Sequence, residues 1–261
     1  AKQVPDTRNV GKDAMKEDGT INRAALPAIF NPEDLNALEQ ALRLKDANPG
    51  STVTLLTMGL PRASEIIREA IYRGADTGIV LTDRVLGGAD TLATSYSLAQ
   101  AVKKFGNYDI ILGGRQAIDG DTAQVGPQVA EKLGLTQITY TEEIISLDKD
   151  AKKIVAKRHI DGGVETVEGP LPIVVTVNGS AAPCRVRNVK RVWANKNREF
   201  PVWGAADIDA DPAQIGKAGS PTNVKAVKNI VFKAKENKTL TSSDEDINSL
   251  IVELMESNTI G

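Results

Sequence analysis

Residues 113–127 form a dense run of small and polar residues, GGRQAIDGDTAQVGP. The run follows an apolar segment, YDIIL, and precedes a stretch with helical spacing, QVAEKLG. A tight turn needs only two or three glycine or polar residues, so this segment is longer than a turn requires. Its amide, carboxylate and hydroxyl groups are those that bind a polar small molecule.

A second overlong crossover covers residues 83–95, DRVLGGADTLATS. Its glycine pair allows close backbone approach, and the polar residues after it fall at a predicted helix start. Unpaired N–H groups at a helix start, together with hydroxyls, form an anion site that suits a phosphate. Polar residues at the two predicted helix starts are Asp90, Thr91, Thr94 and Ser95 in this crossover and Asp121 and Thr122 in the other, with amides from Gln116 and Gln124.

Plain helix capping is the alternative interpretation, because Asp and Thr are common at helix starts. Because two glycine-rich, overlong crossovers occur in the same chain, a nucleotide phosphate site is an interpretation of equal weight to helix capping. The sequence contains neither the P-loop pattern nor the dinucleotide pattern G-x-G-x-x-G. Positive potential for a phosphate would therefore come mainly from backbone N–H groups and helix ends.

The chain offers no evident acid–base or metal centre. It contains one histidine, His159, and one cysteine, Cys184. A single cysteine excludes an intrachain disulfide and fits a reducing cytoplasm, and so few nitrogen and sulfur ligands argue against a metal site. We predict no catalytic residue and no metal ligand, and a bound cofactor that carries the chemistry.

Composition narrows the class of partner. The 261 residues have a net charge of −2 and 4% aromatic residues, which argues against nucleic-acid binding. The apolar runs fall short of the ~20 residues that a membrane-spanning helix needs.

Apolar runs and helical spacings alternate over residues 1–135, which predicts a doubly wound, mostly parallel, Rossmann-like α/β sheet. Three stretches near 139–147, 152–159 and 163–168 predict an antiparallel β extension, with a hairpin turn at Asp161-Gly162-Gly163. The predicted helices cover 31–45, 61–73, 91–105, 122–133 and 243–257, and the predicted parallel strands cover 52–58, 78–81, 108–112 and 170–177.

The predicted domains are residues 1–205, the nucleotide-binding unit with the β extension, and 206–261, a C-terminal arm and helix. The terminal helix begins at a weakened capping box, Ser243 and Asp246. Its apolar stripe packs either on the chain's own core or on another chain. Members of the stripe are Ile247, Leu250, Ile251, Leu254 and Met255.

Several strings of the sequence occur in the order typical of one family. They are KQVPDT at 2–7, Asn31-Pro32, GRQAIDGD at 114–121, and IDGG at 160–163 with Glu165. The chain thus resembles the beta subunit of electron transfer flavoproteins from Ala1 to about Trp203, and QAIDGD is highly specific. The segment 88–95, GADTLATS, is similar to the bifurcating, NADH-using branch.

The resemblance implies a nucleotide-binding fold that pairs with an alpha subunit carrying its own FAD. In the bifurcating branch the beta subunit holds a second FAD, reduced by NADH. Its electrons pass to the alpha-subunit FAD and an acyl-CoA or hydroxy-acid dehydrogenase, and to a low-potential acceptor such as ferredoxin or flavodoxin. Two alternatives stay open: a housekeeping beta subunit holding structural AMP, and a stand-alone ATP-binding regulatory homodimer.

Site residues carried over from the resemblance fall into three groups. The adenosine part is expected at Asn31, Asp34, Met58, Gly114, Arg115, Gln116, Ala117, Asp119, Asp121, Thr122, Gln124 and Val125. The pyrophosphate is expected at Asp90, Thr91, Ala93 and Thr94. A docking loop for a partner dehydrogenase is expected near 189–197, at Val189, Lys190, Arg191, Val192 and Trp193, with Val189 as apolar anchor.

The sequence departs from the family pattern at two places. The family begins with a short central strand before the KQVPD string, and we expect that strand to precede Ala1 in the full protein. The family's Glu-Pro-Arg-Tyr-Pro-Ser stretch reads Ala-Pro-Cys-Arg-Val-Arg-Asn at 182–188, so the partner-facing surface is expected to differ.

Overall fold

The computed structural model describes residues 1–6, 27–222 and 237–260. Thr7 of the N-terminal string and residues 223–236 of the predicted arm lie outside the described residues. Strands are β1 (Gln3–Pro5), β2 (Ala28–Phe30), β3 (Thr54–Met58), β4 (Thr77–Leu81), β5 (Ile110–Gly114), β6 (Thr136–Asp148), β7 (Lys153–Ile160), β8 (Gly163–Pro170), β9 (Ile173–Val177) and β10 (Val202–Trp203). Helices are α1 (Pro32–Ala47), α2 (Ser64–Arg73), α3 (Thr91–Phe105), α4 (Val125–Leu133), α5 (Val189–Asn195) and α6 (Asp244–Glu256).

The predicted α/β class with mostly parallel strands is confirmed. The described parallel strands are divided between two sheets, β10–β4–β3 and the β5–β9–β6 half of a five-stranded sheet. Strands β1 and β2 form a separate antiparallel pair. The amino group of Ala1 donates a 2.9 Å hydrogen bond to the carbonyl of Leu56, which places the first residue beside β3.

The antiparallel extension is also confirmed. Strands β7 and β8 pair from Lys153 opposite Pro170 to Ile160 opposite Gly163. The two residues between them, Asp161 and Gly162, form the predicted hairpin turn. Gly162 has φ of 82°, a left-handed conformation that glycine adopts without steric cost.

Helix α1 lies between the two sheets and joins their cores. Leu38 and Leu42 belong to a core cluster with β3 and α2, whereas Ala37 packs in a second cluster with Val175 and Val177 of β9. Burying a leucine side chain contributes about 1.5–3 kcal/mol, so the helix is held from both sides. This packing fixes the first turn of α1 against the carboxyl end of β5.

Two boundaries near the predicted site differ from the sequence prediction. Helix α4 begins at Val125 rather than at residue 122, because Asp121 and Ala123 have φ of 49° and 52° and cannot belong to a right-handed helix. Strand β5 runs two residues further than predicted, through Gly113 and Gly114, because Gly113 and Gly114 pair with Thr176 and Val177 of β9. The glycine pair is therefore part of the sheet rather than of the loop.

The terminal helix α6 begins at the predicted cap. Ser243 Oγ accepts a hydrogen bond from Asp246 N–H at 3.3 Å. The Asp246 carboxylate bonds the N–H of Thr241 at 2.7 Å, two residues further back than a standard capping box, because the chain turns there. The predicted apolar stripe is exposed, with Ile247, Ile251 and Met255 at 45%, 41% and 56%.

Candidate nucleotide-binding site

The carboxyl end of β5 is in direct contact with the first turn of α1. Asp34 Oδ1 accepts a 2.7 Å hydrogen bond from Gly114 N–H. A Cβ atom on Gly114 would lie 2.7 Å from the backbone of Glu33 and Asp34, a distance too short for a real contact. Only glycine at position 114 therefore allows β5 to approach α1 this closely.

Asn31 and Asp34 are buried residues that set the shape of the loop after β5. Asn31 Oδ1 accepts from Ile118 N–H at 3.2 Å, and its Nδ2 donates to the carbonyl of Gln116 at 2.8 Å and to Asp34 Oδ2 at 3.1 Å. Asp34 Oδ2 also accepts from Lys2 N–H at 2.8 Å. Through these hydrogen bonds, both side chains support the loop after β5.

Glu33 is a site residue that the sequence analysis missed. Its carboxylate accepts from Gln116 N–H at 3.0 Å and from the Arg115 guanidinium at 2.9 and 3.3 Å. The Arg115 guanidinium also lies 5.4 Å from the ring centre of Tyr140. Arg115 is thus paired within the chain, and its side chain braces the loop.

The remainder of the loop is held by polar contacts within it and by Lys2. Gln116 Nε2 donates to Asp121 Oδ1 at 2.8 Å, and Lys2 Nζ bonds both carboxylate oxygens of Asp119 at 2.8 and 2.9 Å. The carbonyl of Ala117 accepts from Asp121 N–H at 3.0 Å. The side chains of Asp119, Asp121 and Thr122 face the exterior.

Helix α3 begins with a capping carboxylate. Asp90 Oδ1 accepts from the N–H groups of Leu92 and Ala93, both at 3.0 Å, and Oδ2 accepts from Thr222 N–H at 3.1 Å. Burial opposes ionisation, but the hydrogen bonds from Ala93, Thr222 and Leu92 hold the pKa of Asp90 below its usual range. A carboxylate here repels phosphate, so the groups of α3 open to an anion are the half-buried side chains of Thr91 and Thr94.

Ser220 and Thr222 also support this helix start, and sequence periodicity gave no signal for them. Ser220 Oγ accepts from Asp90 N–H at 2.9 Å and donates to the Gly216 carbonyl at 2.6 Å. They lie 130 and 132 residues after Asp90 in an irregular segment, so only the tertiary structure brings them to the site. Ala93, a predicted contact, is fully buried.

Helix α4 begins beside α3 without a side-chain cap from the described residues. The first-turn N–H groups of Val125 and Gly126 are therefore suited to an external acceptor. Thr91 Oγ1 donates a 3.1 Å hydrogen bond to Gln124 Oε1, which joins the two helix starts. We call the surface formed by residues 90–94, 124–126 and the end of β5 the α3–α4 cradle.

Met58 lies at the carboxyl end of β3, on the side of the sheet that carries α3. It is partly buried against a cluster that includes Leu81 of β4 and Ala101 of α3. The structure thus places Met58 on the same side of its sheet as α3, the helix whose start belongs to the α3–α4 cradle.

Comparison with known sequences assigns this architecture to a family. The electron transfer flavoprotein domain matches residues 18–207. The electron transfer flavoprotein subunit beta of Clostridium acetobutylicum is 48% identical over 224 residues, 86% of this chain and 84% of that protein.

The chain belongs to the electron transfer flavoprotein family. The subunit beta of Megasphaera elsdenii is 46% identical over 232 residues, which cover 87% of this chain and 84% of the relative. The caffeyl-CoA reductase-Etf complex subunit CarD of Acetobacterium woodii is 44% identical over 224 residues, with 86% and 84% covered. The function is therefore that of an electron transfer flavoprotein beta subunit.

A short helix lies on the surface of this electron transfer flavoprotein subunit at the predicted docking loop, packed beside α2. In α5, Val189 and Trp193 are 82% and 75% exposed. Arg191, by contrast, turns inward and donates to the carbonyls of Ile71 and Ala75 at 3.1 and 3.0 Å. Lys190 is exposed and Val192 half-buried. Seven residues are too few to give a periodic sequence signal, so only the docking residues and no helix were predicted here.

The segment before α5 is fixed to α1 by two ion pairs of Arg185. Arg185 Nε lies 3.0 Å from Glu39 Oε2, and Arg185 Nη1 lies 2.7 Å from Asp46 Oδ2. Burial opposes ionisation of Glu39, but hydrogen bonds and charge from Arg185 hold its pKa below the usual range. A cleft of about 480 Å³ lies between α2 and α5, away from the nucleotide loops.

Residues 1–6, 27–222 and 237–260 contain no cluster of three potential metal ligands. None of the helices in those ranges combines the length and apolar character needed to cross a bilayer.

Proposed function

We propose that this beta subunit binds FAD in the α3–α4 cradle. Bound there, FAD would accept hydride from NADH and pass electrons both to the alpha-subunit FAD and to a low-potential acceptor such as ferredoxin or flavodoxin. The observation that supports this proposal is the Thr91–Gln124 hydrogen bond, which brings two helix starts together at one edge of the fold.

The donors in the α3–α4 cradle suit a diphosphate. The hydroxyls of Thr91 and Thr94 lie at one helix start, and the N–H groups of Val125 and Gly126 lie at the other. A diphosphate spreads its charge over two phosphoryl groups and gains from donors on both sides. Asp90 has the separate role of holding the first turn of α3 in place.

The adenosine part is proposed to lie along the loop of residues 114–122. Glu33, Asn31 and Asp34 hold this loop, whose backbone and exposed side chains then face the ligand. In this proposal Arg115 contributes through the loop geometry, since Glu33 neutralises its charge.

One observation favours the alternative, a structural AMP. Asp90 already occupies two first-turn N–H groups of α3, which reduces the donors left for a second phosphate. AMP would need only the start of α4. Family membership argues against the third hypothesis, a stand-alone ATP-binding regulatory homodimer.

Partners are proposed for the two exposed apolar surfaces. We place the alpha subunit on the stripe of α6, within the arm of residues 206–261, because an exposed row of Ile and Met side chains is typical of a subunit interface. We place an acyl-CoA or hydroxy-acid dehydrogenase on α5, at Val189 and Trp193. Relatives carry the names caffeyl-CoA reductase-Etf complex subunit CarD and acryloyl-CoA reductase electron transfer subunit gamma. The cytoplasmic location and the absence of nucleic-acid binding stay predictions.

Cofactor identity is tested on the heterodimer co-expressed with its alpha subunit. Nucleotides extracted by denaturation are identified by mass and counted against protein. We expect one FAD per subunit, and anaerobic NADH should bleach the flavin absorbance. One FAD with one AMP per heterodimer would contradict the proposal and support the housekeeping alternative.

Amide hydrogen exchange tests the two surfaces together. Amides of residues 244–256 should gain protection when the alpha subunit binds, and amides of residues 189–195 should gain protection only when the dehydrogenase is added. The β7–β8 hairpin turn at Asp161 and Gly162 serves as the internal reference. Unchanged exchange at α6 when the alpha subunit binds would show that α6 is not the interface with that subunit. Unchanged exchange at α5 when the dehydrogenase is added would show the same for α5 and the dehydrogenase.

A further inference from the structure

Gly113 leaves an unusual space at the carboxyl end of β5. A Cβ atom built on it meets no described atom within 4 Å, whereas a Cβ on the next residue, Gly114, meets the α1 backbone at 2.7 Å. The other described glycines with such open space are all exposed, namely Gly50, Gly120, Gly134, Gly162 and Gly163. Gly113 is half-buried and paired within a sheet, so its open space is a concavity.

Strand alternation shows which side of the sheet this concavity faces. Successive residues of a strand point to opposite faces, so Gly113 faces away from α1, the helix that Gly114 contacts. Gly113 is paired with Thr176 of β9, and the two residues share a face. A Cβ atom on Gly126, in the first turn of α4, would collide with the methyl group of Thr176. The concavity therefore opens toward the start of α4.

A ligand bound at both helix starts would lie beside this strand end. The hydroxyl of Thr91 and the side chain of Gln124 are hydrogen-bonded, and Gly126 lies against the strand next to Gly113. A mononucleotide held only at the start of α4 has no need of the space, because its single phosphate ends there.

We propose that Gly113 determines the size of the nucleotide that this subunit accepts. The missing side chain leaves room for the second half of a dinucleotide to cross the end of β5. The inference rests on the proposed function, FAD binding in the α3–α4 cradle, and adds a residue that selects between FAD and AMP.

The test compares Gly113→Leu and Gly113→Ala with Gly163→Ala, a control at an exposed glycine that begins β8 and also has open space around it. Heterodimers are titrated with FAD and with AMP after removal of bound nucleotide. We expect Gly113→Leu to weaken FAD binding at the beta subunit by about tenfold or more, a change of about 1.4 kcal/mol or more. We expect Gly113→Ala to have a smaller effect of the same sign, and AMP affinity and melting temperature to stay at the control values.

Each outcome separates this inference from the proposed function. If the wild-type beta subunit binds FAD and Gly113→Leu binds it equally well, Gly113 has no selecting role and the FAD assignment stands. Equal losses of FAD and AMP would also overturn the selecting role. If the wild type takes up only AMP, the proposed function fails first. If Gly113→Leu does not fold, Gly113→Ala decides, and unchanged FAD affinity in that variant overturns the inference.

Discussion

Replacing Thr91 and Thr94 together by alanine is expected to release FAD from the beta subunit while the alpha-subunit FAD stays bound. Each hydroxyl can donate one hydrogen bond to a charged phosphate oxygen, an interaction that contributes about 1.5–3 kcal/mol. Thr91 would exchange its present hydrogen bond to Gln124 for the bond to phosphate. Losing both should weaken FAD binding about a hundredfold or more. Flavin per heterodimer after gel filtration, read from absorbance, measures the loss.

The matched control changes two threonines outside the α3–α4 cradle. Thr136 and Thr166 are exposed on β6 and β8, so Thr136→Ala with Thr166→Ala alters the same chemistry at a distance. Full flavin in the control and half in the double variant is the expected pair of results. Full flavin in both would show that the α3 hydroxyls do not bind the pyrophosphate.

Changing Asp34 to asparagine is expected to lower the stability of the subunit and its affinity for nucleotide together. The carboxylate accepts hydrogen bonds from the N–H groups of Gly114 and Lys2 and from the amide of Asn31. An asparagine amide would direct its own N–H toward at least one of these donors. The expected cost is about 2–4 kcal/mol of unfolding free energy, since buried donors lose their acceptor.

Urea unfolding measures this effect, with the midpoint of Asp34→Asn compared with the midpoint of a control variant, Asp150→Asn. Asp150 is an exposed residue of the β6–β7 turn, and its substitution removes a carboxylate outside the α1–β5 contact. A midpoint for Asp34→Asn equal to that of the control would mean that this hydrogen-bond cluster does not stabilise the fold.

The sequence predicts helices best where local signals coincide. Helix α3 has the predicted bounds because Asp90 caps its start and Gly106, with φ of 85°, ends it. The predicted start of α4 was wrong because a left-handed backbone, as at Asp121 and Ala123, has no reliable sequence signal in residues other than glycine. Local patterns also do not show that α1 packs between two sheets.

The candidate site was predictable in its location and not in its internal contacts. The crossovers containing Thr91 and Gln124 were each visible as polar, glycine-rich segments, and the structure joins them directly. Glu33 looked like an ordinary acidic residue in a first helical turn, because its partners Arg115 and Gln116 lie more than eighty residues away. Contacts at that sequence separation are set by the tertiary fold.

An experimental density map of the heterodimer purified with its native nucleotide would show directly which nucleotide the beta subunit holds. We expect two phosphoryl groups in the α3–α4 cradle, one near the N–H groups of Val125 and Gly126 and one within hydrogen-bonding distance of Thr91 or Thr94. A mononucleotide at the start of α4, with Thr94 directed away from it, would contradict the account.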